Sequence, residues 1–261
     1  MILNPRTDIL PDSQKKLWPL LTEVPKDFVL YGGTAVALRY GHRQSVDFDF
    51  FSSLRDDDVR KTTVQLGFIK HYAINYDNPE FMAVSSGSQV IYKLKMLESE
   101  LVEVTFVRDN AFIGGSAQQP SIAENNNINI ASPIDLMATK INALKNRKSV
   151  KDFVDISIMI NNGVSFKRGI TVAIAMNKNR LRDEIIIFNS MLQTLQNPEE
   201  YKYIFTNDRD ASDELKDRLQ SVINTMVPEA EKIQMDGINY KYDLKQSLCH
   251  EEDTEDYSCD R

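Results

Sequence analysis

Two aspartates one residue apart, Asp47 and Asp49, sit in Ser45-Val46-Asp47-Phe48-Asp49-Phe50, a short distance after the glycine pair of Tyr31-Gly32-Gly33-Thr34. Polar and apolar residues alternate from Ser45 to Phe50, the pattern of a strand with one buried face. On such a strand the two carboxylates project from the same side, while Val46, Phe48 and Phe50 turn to the core. Neighbouring carboxylates repel unless a cation lies between them. A hard divalent ion held by oxygen, Mg²⁺ or Mn²⁺, suits that position. Two such ions about 3.5–4 Å apart would activate an attacking hydroxyl and stabilise a leaving pyrophosphate.

The glycines complement this chemistry. Phe28-Val29-Leu30-Tyr31 reads as a buried strand that stops at Gly32, and Thr34–Tyr40 reads as a helix ended by Gly41. A strand that runs through two glycines into a helix leaves backbone N–H groups at the positive end of that helix. Phosphate oxygens can approach there with no Cβ in the way. Thr34 adds a hydroxyl donor or caps the helix. A glycine pair alone is most often a tight turn, and Asp-x-Asp alone most often a solvated sheet face. The order of strand, glycines, helix and second strand with paired acids is what makes a site of them.

The surrounding elements must hold this constellation. A helix is expected to start at Asp12 and to be bent or shortened at Pro19, and another to open at Asp56-Asp57-Asp58. Strand-like runs follow at Phe68–Ile74, Val90–Leu97 and Leu101–Val107, the last two joined as a hairpin through Glu98-Ser99-Glu100. Asn110–Ala131 shifts to Gly, Ser, Gln and Asn and reads as a long connection. Beyond it the pattern is helical. Ser132-Pro133-Ile134-Asp135 starts a helix whose apolar stripe is Ile134, Met137, Ala138, Ile141 and Leu144. Ser149-Val150-Lys151-Asp152 caps a second helix through Ile160, and helix-like segments continue to about Ile233. The layout is a mixed α/β half, 1–130, then a helical domain, 131–235, and an acidic tail, 236–261, expected to be disordered.

The motif Gly32-Gly33-Thr34 followed by His42-Arg43-Gln44-Ser45-Val46-Asp47-Phe48-Asp49-Phe50-Phe51 resembles the AbiEii/AbiGii toxin family, of the polymerase-β-like nucleotidyltransferase superfamily. The resemblance continues through Ala131–Leu144, Arg147 and Lys151-Asp152-Phe153-Val154-Asp155, and covers roughly residues 28–160. It implies an α+β fold: a mixed-sheet nucleotidyltransferase core followed by a helical C-terminal domain. It implies transfer of a nucleoside monophosphate from an NTP to an acceptor hydroxyl, with RNA, tRNA in particular, as acceptor. It also implies the toxin of a toxin–antitoxin or phage-defence pair, with an antitoxin partner. By position, Gly32, Gly33 and Thr34 match the family's phosphate loop, and Asp47 and Asp49 its metal-binding pair. Arg43 and Ser45 match its flanking polar positions, Lys140 the lysine that touches the triphosphate, and Asp152 or Asp155 its late acidic motif. With Arg147 these complete the nucleotide-binding and catalytic set. Lys151 departs from the family's usual arginine. The superfamily's third carboxylate, on a later strand, has Glu103 as its candidate.

The bulk numbers narrow the rest. With 42% apolar and 26% charged residues, the 261-residue chain reads as an ordinary globular protein. It has no run of about 18 apolar residues to span a membrane. Two cysteines in a polar tail suit a reducing, cytoplasmic setting. A net charge of −7 argues against binding nucleic acid through global positive charge. One local strip is basic: Lys140, Lys145, Arg147, Lys148 and Lys151, with no acid between Leu136 and Val150. On a continuous helix, Lys140, Arg147 and Lys151 would form one stripe able to face a triphosphate or RNA, and Asp155 would need a partner such as Lys140 or Arg147. Two alternatives accompany the RNA-directed enzyme: transfer to a protein or small molecule, and a non-catalytic nucleotide-binding module.

Overall fold

Phe28–Tyr31 (β2) and Asp47–Ser52 (β3) form an antiparallel pair in which Leu30 faces Phe50 and Tyr31 faces Asp49. The computed structural model describes residues 1–74, 89–98, 100–108, 118–176 and 181–236, the side chains of 181–187 and 234–236 excepted. The tail from 237 onward and residues 110–117 of the long connection lie outside this set. The chain divides into two compact units, Met1–Ser132 and Pro133–Arg261.

The first unit is built on a mixed seven-stranded sheet. Its remaining strands are Ile2–Leu3 (β1), Gln89–Lys95 (β4), Leu101–Arg108 (β5), Ser121–Ala123 (β6) and Asn129–Ile130 (β7), in the order β1-β6-β7-β2-β3-β5-β4. β4 and β5 pair as the expected hairpin, Lys95 opposite Leu101. β5 then runs parallel to β3.

Alternation along these strands separates two faces. One carries Phe28, Leu30, Phe48, Phe50, Val90, Tyr92, Leu94, Val102, Val104 and Phe106, all buried. Phe106 is its centre, with the rings of Phe28 and Phe50 at 5.2 and 5.4 Å. Helices Asp12–Leu17 (α1), Asp56–Thr63 (α3) and Gly67–Tyr72 (α4) pack against β4 and β5, and the Thr63 hydroxyl meets the Tyr92 hydroxyl at 3.1 Å. The opposite face is more open and carries Asp47, Asp49 and Glu103.

Four expectations are corrected. Phe68–Ile74 is not a strand: Gly67–Tyr72 is helical, because Phe68 and Ile69 are adjacent and both buried, which alternation forbids and a helix face allows. Val46 does not reach the core but is 58% exposed, because the ladder to β5 begins only at Asp47. The stretch read as a connection contributes β6 and β7, and β7 runs parallel to β2 beside the glycine strand. Ser149 occupies the N-cap position without capping through its own oxygen. The carboxylate of Asp208 accepts from the Val150 N–H at 2.7 Å and from the Ser149 hydroxyl at 3.2 Å.

The helix that follows the glycines, Gly32–Tyr40 (α2), ends as expected at Gly41, whose φ of 63° is the left-handed conformation and whose N–H donates to the Ala37 carbonyl. Arg39, at its C-terminal end, donates to the carbonyls of Ala131 and Ile130 and to the Ser121 hydroxyl. All these acceptors are neutral oxygens that tie α2 to the β6–β7 side of the sheet, and burial depresses the pKa of the guanidinium to about 10.

The second unit is helical among its described residues: Pro133–Asn146 (α5), Val150–Asn161 (α6), Phe166–Ala175 (α7), Leu181–Leu195 (α8), Pro198–Asn207 (α9), Asp213–Lys216 (α10) and Leu219–Asp236 (α11). α5 packs on α6 and α7, and α11 on α6 and α8.

Candidate active site on the open face of the sheet

The side chains that follow the glycines fold directly back onto them. A Cβ at Gly32 would lie 2.3 Å from Asp49 Oδ2, and one at Gly33 would lie 2.5 Å from a terminal nitrogen of Arg43 and 3.0 Å from Ser45 Oγ. Both glycines are therefore sites of close approach, and Gly32 also needs its φ of 74°. Thr34 is buried, and its hydroxyl donates to the backbone carbonyl of Asp47. That bond fastens the first turn of α2 to the start of β3, so the hydroxyl is engaged within the protein. The N-cap residue of α2, Tyr31, makes no cap bond through its own side chain, and the helix presents its positive end at the glycines. Arg43 also donates to the Gln44 carbonyl at 2.9 Å, which holds its guanidinium over the loop.

Register places the acids. Asp47 pairs with Glu103 across the β3–β5 ladder, and Asp49 with Thr105. Residues in register share a face, so Asp47, Asp49 and Glu103 stand on one side of the sheet, Asp47 exposed and the other two partly so. Among the described residues no three acids or metal-ligating groups lie close enough to form a ready cage. A pair of carboxylates supplemented by substrate oxygens is how Mg²⁺ is commonly held, and the donor set here is of that kind. Gly32, Gly33, Arg43, Ser45, Asp47, Asp49 and Glu103 are thus gathered by β2, α2, β3 and β5.

The remaining predicted residues form a cluster of their own in the second unit. Lys140 Nζ is buried between two fully buried carboxylates, 2.9 Å from Asp152 Oδ1 and 2.7 Å from Asp155 Oδ2. Arg147 Nε lies 2.9 Å from the other oxygen of Asp152, its side chain 65% exposed. The expected pairing of Asp155 with Lys140 is present, and Asp152 is an ion-pair partner rather than a cap. The continuous stripe is not: α5 stops at Asn146 and α6 begins at Val150. The wider basic strip is largely engaged at home. Lys148 pairs with Glu200, and Lys145 lies 5.3 Å from the centre of the Phe188 ring. Sequence reasoning missed Asp208, Glu200 and Arg39, since nothing local marks a partner fifty or ninety residues away.

A seven-stranded mixed sheet with a glycine turn at a helix N-terminus, facing two acids on the next strand, defines a nucleotidyltransferase core. The profile described as nucleotidyl transferase AbiEii toxin, type IV TA system, matches residues 21–243. The chain belongs to that family, and is accordingly a nucleotidyltransferase of the toxin–antitoxin class. A crystal structure from H. pylori described as a nucleotidyltransferase is similar in fold, with a TM-score of 0.52 at 15% identity over 87% of this chain and 96% of that one. The nucleotidyltransferase toxin MenT4 from Mycobacterium tuberculosis is similar too, with a TM-score of 0.50 at 12% identity over 90% of each chain. No curated protein matches the chain. Among the described residues no helix is long and apolar enough to cross a membrane.

Proposed function

We propose that the protein transfers a nucleoside monophosphate from an NTP to a hydroxyl of an RNA acceptor, with Mg²⁺ held by Asp47 and Asp49. The observation that carries this reading is the closure of Asp49 onto Gly32, and of Arg43 and Ser45 onto Gly33, beside the N-terminus of α2. The N–H groups of the loop orient triphosphate oxygens, and the Arg43 guanidinium adds a fixed positive charge beside them. A bound Mg²⁺ supplies further charge neutralisation and alignment of the triphosphate with the attacking oxygen. Glu103 does not join the two aspartates in a three-acid metal cage; its register with Asp47 supports a separate role for it, taking the proton of the acceptor hydroxyl.

In the second unit, Lys140 is committed to Asp152 and Asp155, and Arg147 is the member of the cluster with exposed surface to offer a polyanion. The family's toxin–antitoxin class supports a cognate antitoxin as a further partner.

The test is incubation with each α-labelled NTP, Mg²⁺ and total RNA. Label is expected in RNA, dependent on Mg²⁺ and lost in Asp47→Asn and Asp49→Asn. Label in protein instead would overturn the acceptor. NTP binding with no transfer to any acceptor would overturn the reaction.

A further inference from the structure

The open face of the sheet does not end at Glu103. In the β4–β5 ladder Glu103 faces Lys93, and Leu101 faces Lys95. One row therefore runs Lys93, Glu103, Asp47 across three adjacent strands, and the next begins with Lys95 and Leu101. Lys93 and Lys95 are both exposed, Leu101 is 52% exposed, and the residues on either side of Lys93, Tyr92 and Leu94, are buried in the core. β4 is the last strand in the sheet order, so the acids are bordered on that side by a strand whose outward residues at this end are cationic.

Strand spacing fixes the scale. Neighbouring strands are about 4.8 Å apart, which sets the Cα of Lys93 roughly 10 Å from that of Asp47. The two lysines are about 6.6 Å apart along β4, comparable with the separation of consecutive phosphates in an extended nucleic-acid strand. A face carrying three carboxylates repels a polyanionic acceptor, so its backbone must be seated by cations beyond the acids. A protein acceptor has no such requirement.

We infer that Lys93 and Lys95 seat the phosphates next to the reacting end of a single-stranded RNA acceptor, with exposed Leu101 beneath one of its bases. This rests on the RNA-directed reaction proposed above and adds the part of the protein that recognises the acceptor. Both lysines act on the acceptor in this assignment, and β4, which carries them, is separated from β3 and its two aspartates by β5.

The experiment compares the wild type with Lys93→Gln/Lys95→Gln and with the charge-retaining Lys93→Arg/Lys95→Arg. Each is titrated with an end-labelled single-stranded RNA over a range of salt, and separately with NTP. Losing two phosphate contacts should weaken RNA binding about tenfold at low salt and make the log–log salt dependence shallower by about 1.4. NTP affinity and melting temperature should stay unchanged, and the arginine variant should restore binding.

Unchanged RNA affinity in the glutamine variant overturns the inference. If that variant also transfers label to RNA normally, the reaction stands and the lysine track alone falls. Lysine-dependent RNA binding without transfer supports the track and removes the reaction. A wild type that binds no RNA overturns both. Were the lysines merely guarding a sheet edge, their loss would change self-association and leave acceptor affinity alone.

Discussion

Replacing Gly32 by alanine probes the contact on which the site depends. Two penalties combine there. At a φ of 74° a Cβ crowds the backbone, a cost of about 1–2 kcal/mol. The new methyl also lies 2.3 Å from Asp49 Oδ2, so the carboxylate must retreat by about 1 Å to reach ordinary contact distance. A misplacement of that size in a catalytic group costs on the order of 100-fold in turnover. Gly163 provides the control: its φ is 84°, but nothing lies within 4 Å of its would-be Cβ. Gly163→Ala should therefore lose about 1–2 kcal/mol of second-unit stability, by circular dichroism in urea, and keep full turnover. Gly32→Ala should lose a similar amount from the first unit and most of its activity. The single tryptophan, Trp18, is buried in the first unit with its ring 6.3 Å from that of Phe48, so its fluorescence reports that unit. Equal activity in the two variants would refute the claim that Asp49 is seated on Gly32.

Further outcomes follow from buried charge and from capping. Lys140→Met leaves Asp155 and half of Asp152 facing an apolar side chain, and should destabilise the second unit by about 3–5 kcal/mol. Lys140→Met/Asp155→Leu should recover much of that loss in urea unfolding, because Asp152 keeps Arg147. Asp208→Ala should cost about 1 kcal/mol through the lost N-cap of α6. Burial acts to raise the Asp208 carboxyl, but hydrogen bonds from the Val150 and Asp210 N–H groups and the Ser149 hydroxyl, with the charge of Lys151, hold it below its ordinary value. Its contribution is thus complete above the unfolded carboxylate pKa of about 3.9 and is lost as pH falls through the lower folded value. The stability gap between wild type and Asp208→Asn should accordingly narrow towards pH 3, as read by urea midpoints.

Much of the fold was legible because its signals are local. Gly41 marks the end of α2, Pro19 the end of α1, and alternation marks β3 and the β4–β5 hairpin. The α+β class and the family were also within reach, since the glycine pair and the aspartates lie close together in the chain. Long-range packing hid the rest. The helical state of Gly67–Tyr72 is decided by which residues β4 covers, and β7 is too short to carry an alternating pattern. The basic strip looked open because its partners Glu200 and Asp152 lie beyond it, the first more than fifty residues downstream of Lys148. Glu103 could be named only as a candidate, because its standing beside Asp47 is a matter of ladder register, which no local pattern states.

The parallel pairing of β3 with β5, and of β2 with β7, has a consequence for synthesis. A ribosome that has released the chain as far as Ile74 has already delivered the glycines and both aspartates. Their strands still lack the neighbours that flank them: β5 arrives some fifty residues after β3, and β7 about a hundred after β2. A translation product that stops before Leu101 carries the glycines and both aspartates without β5 or β7, the strands that pair in parallel with β3 and β2. For a toxin, the expected outcome is that a chain cut before Leu101 transfers no label where the full chain does.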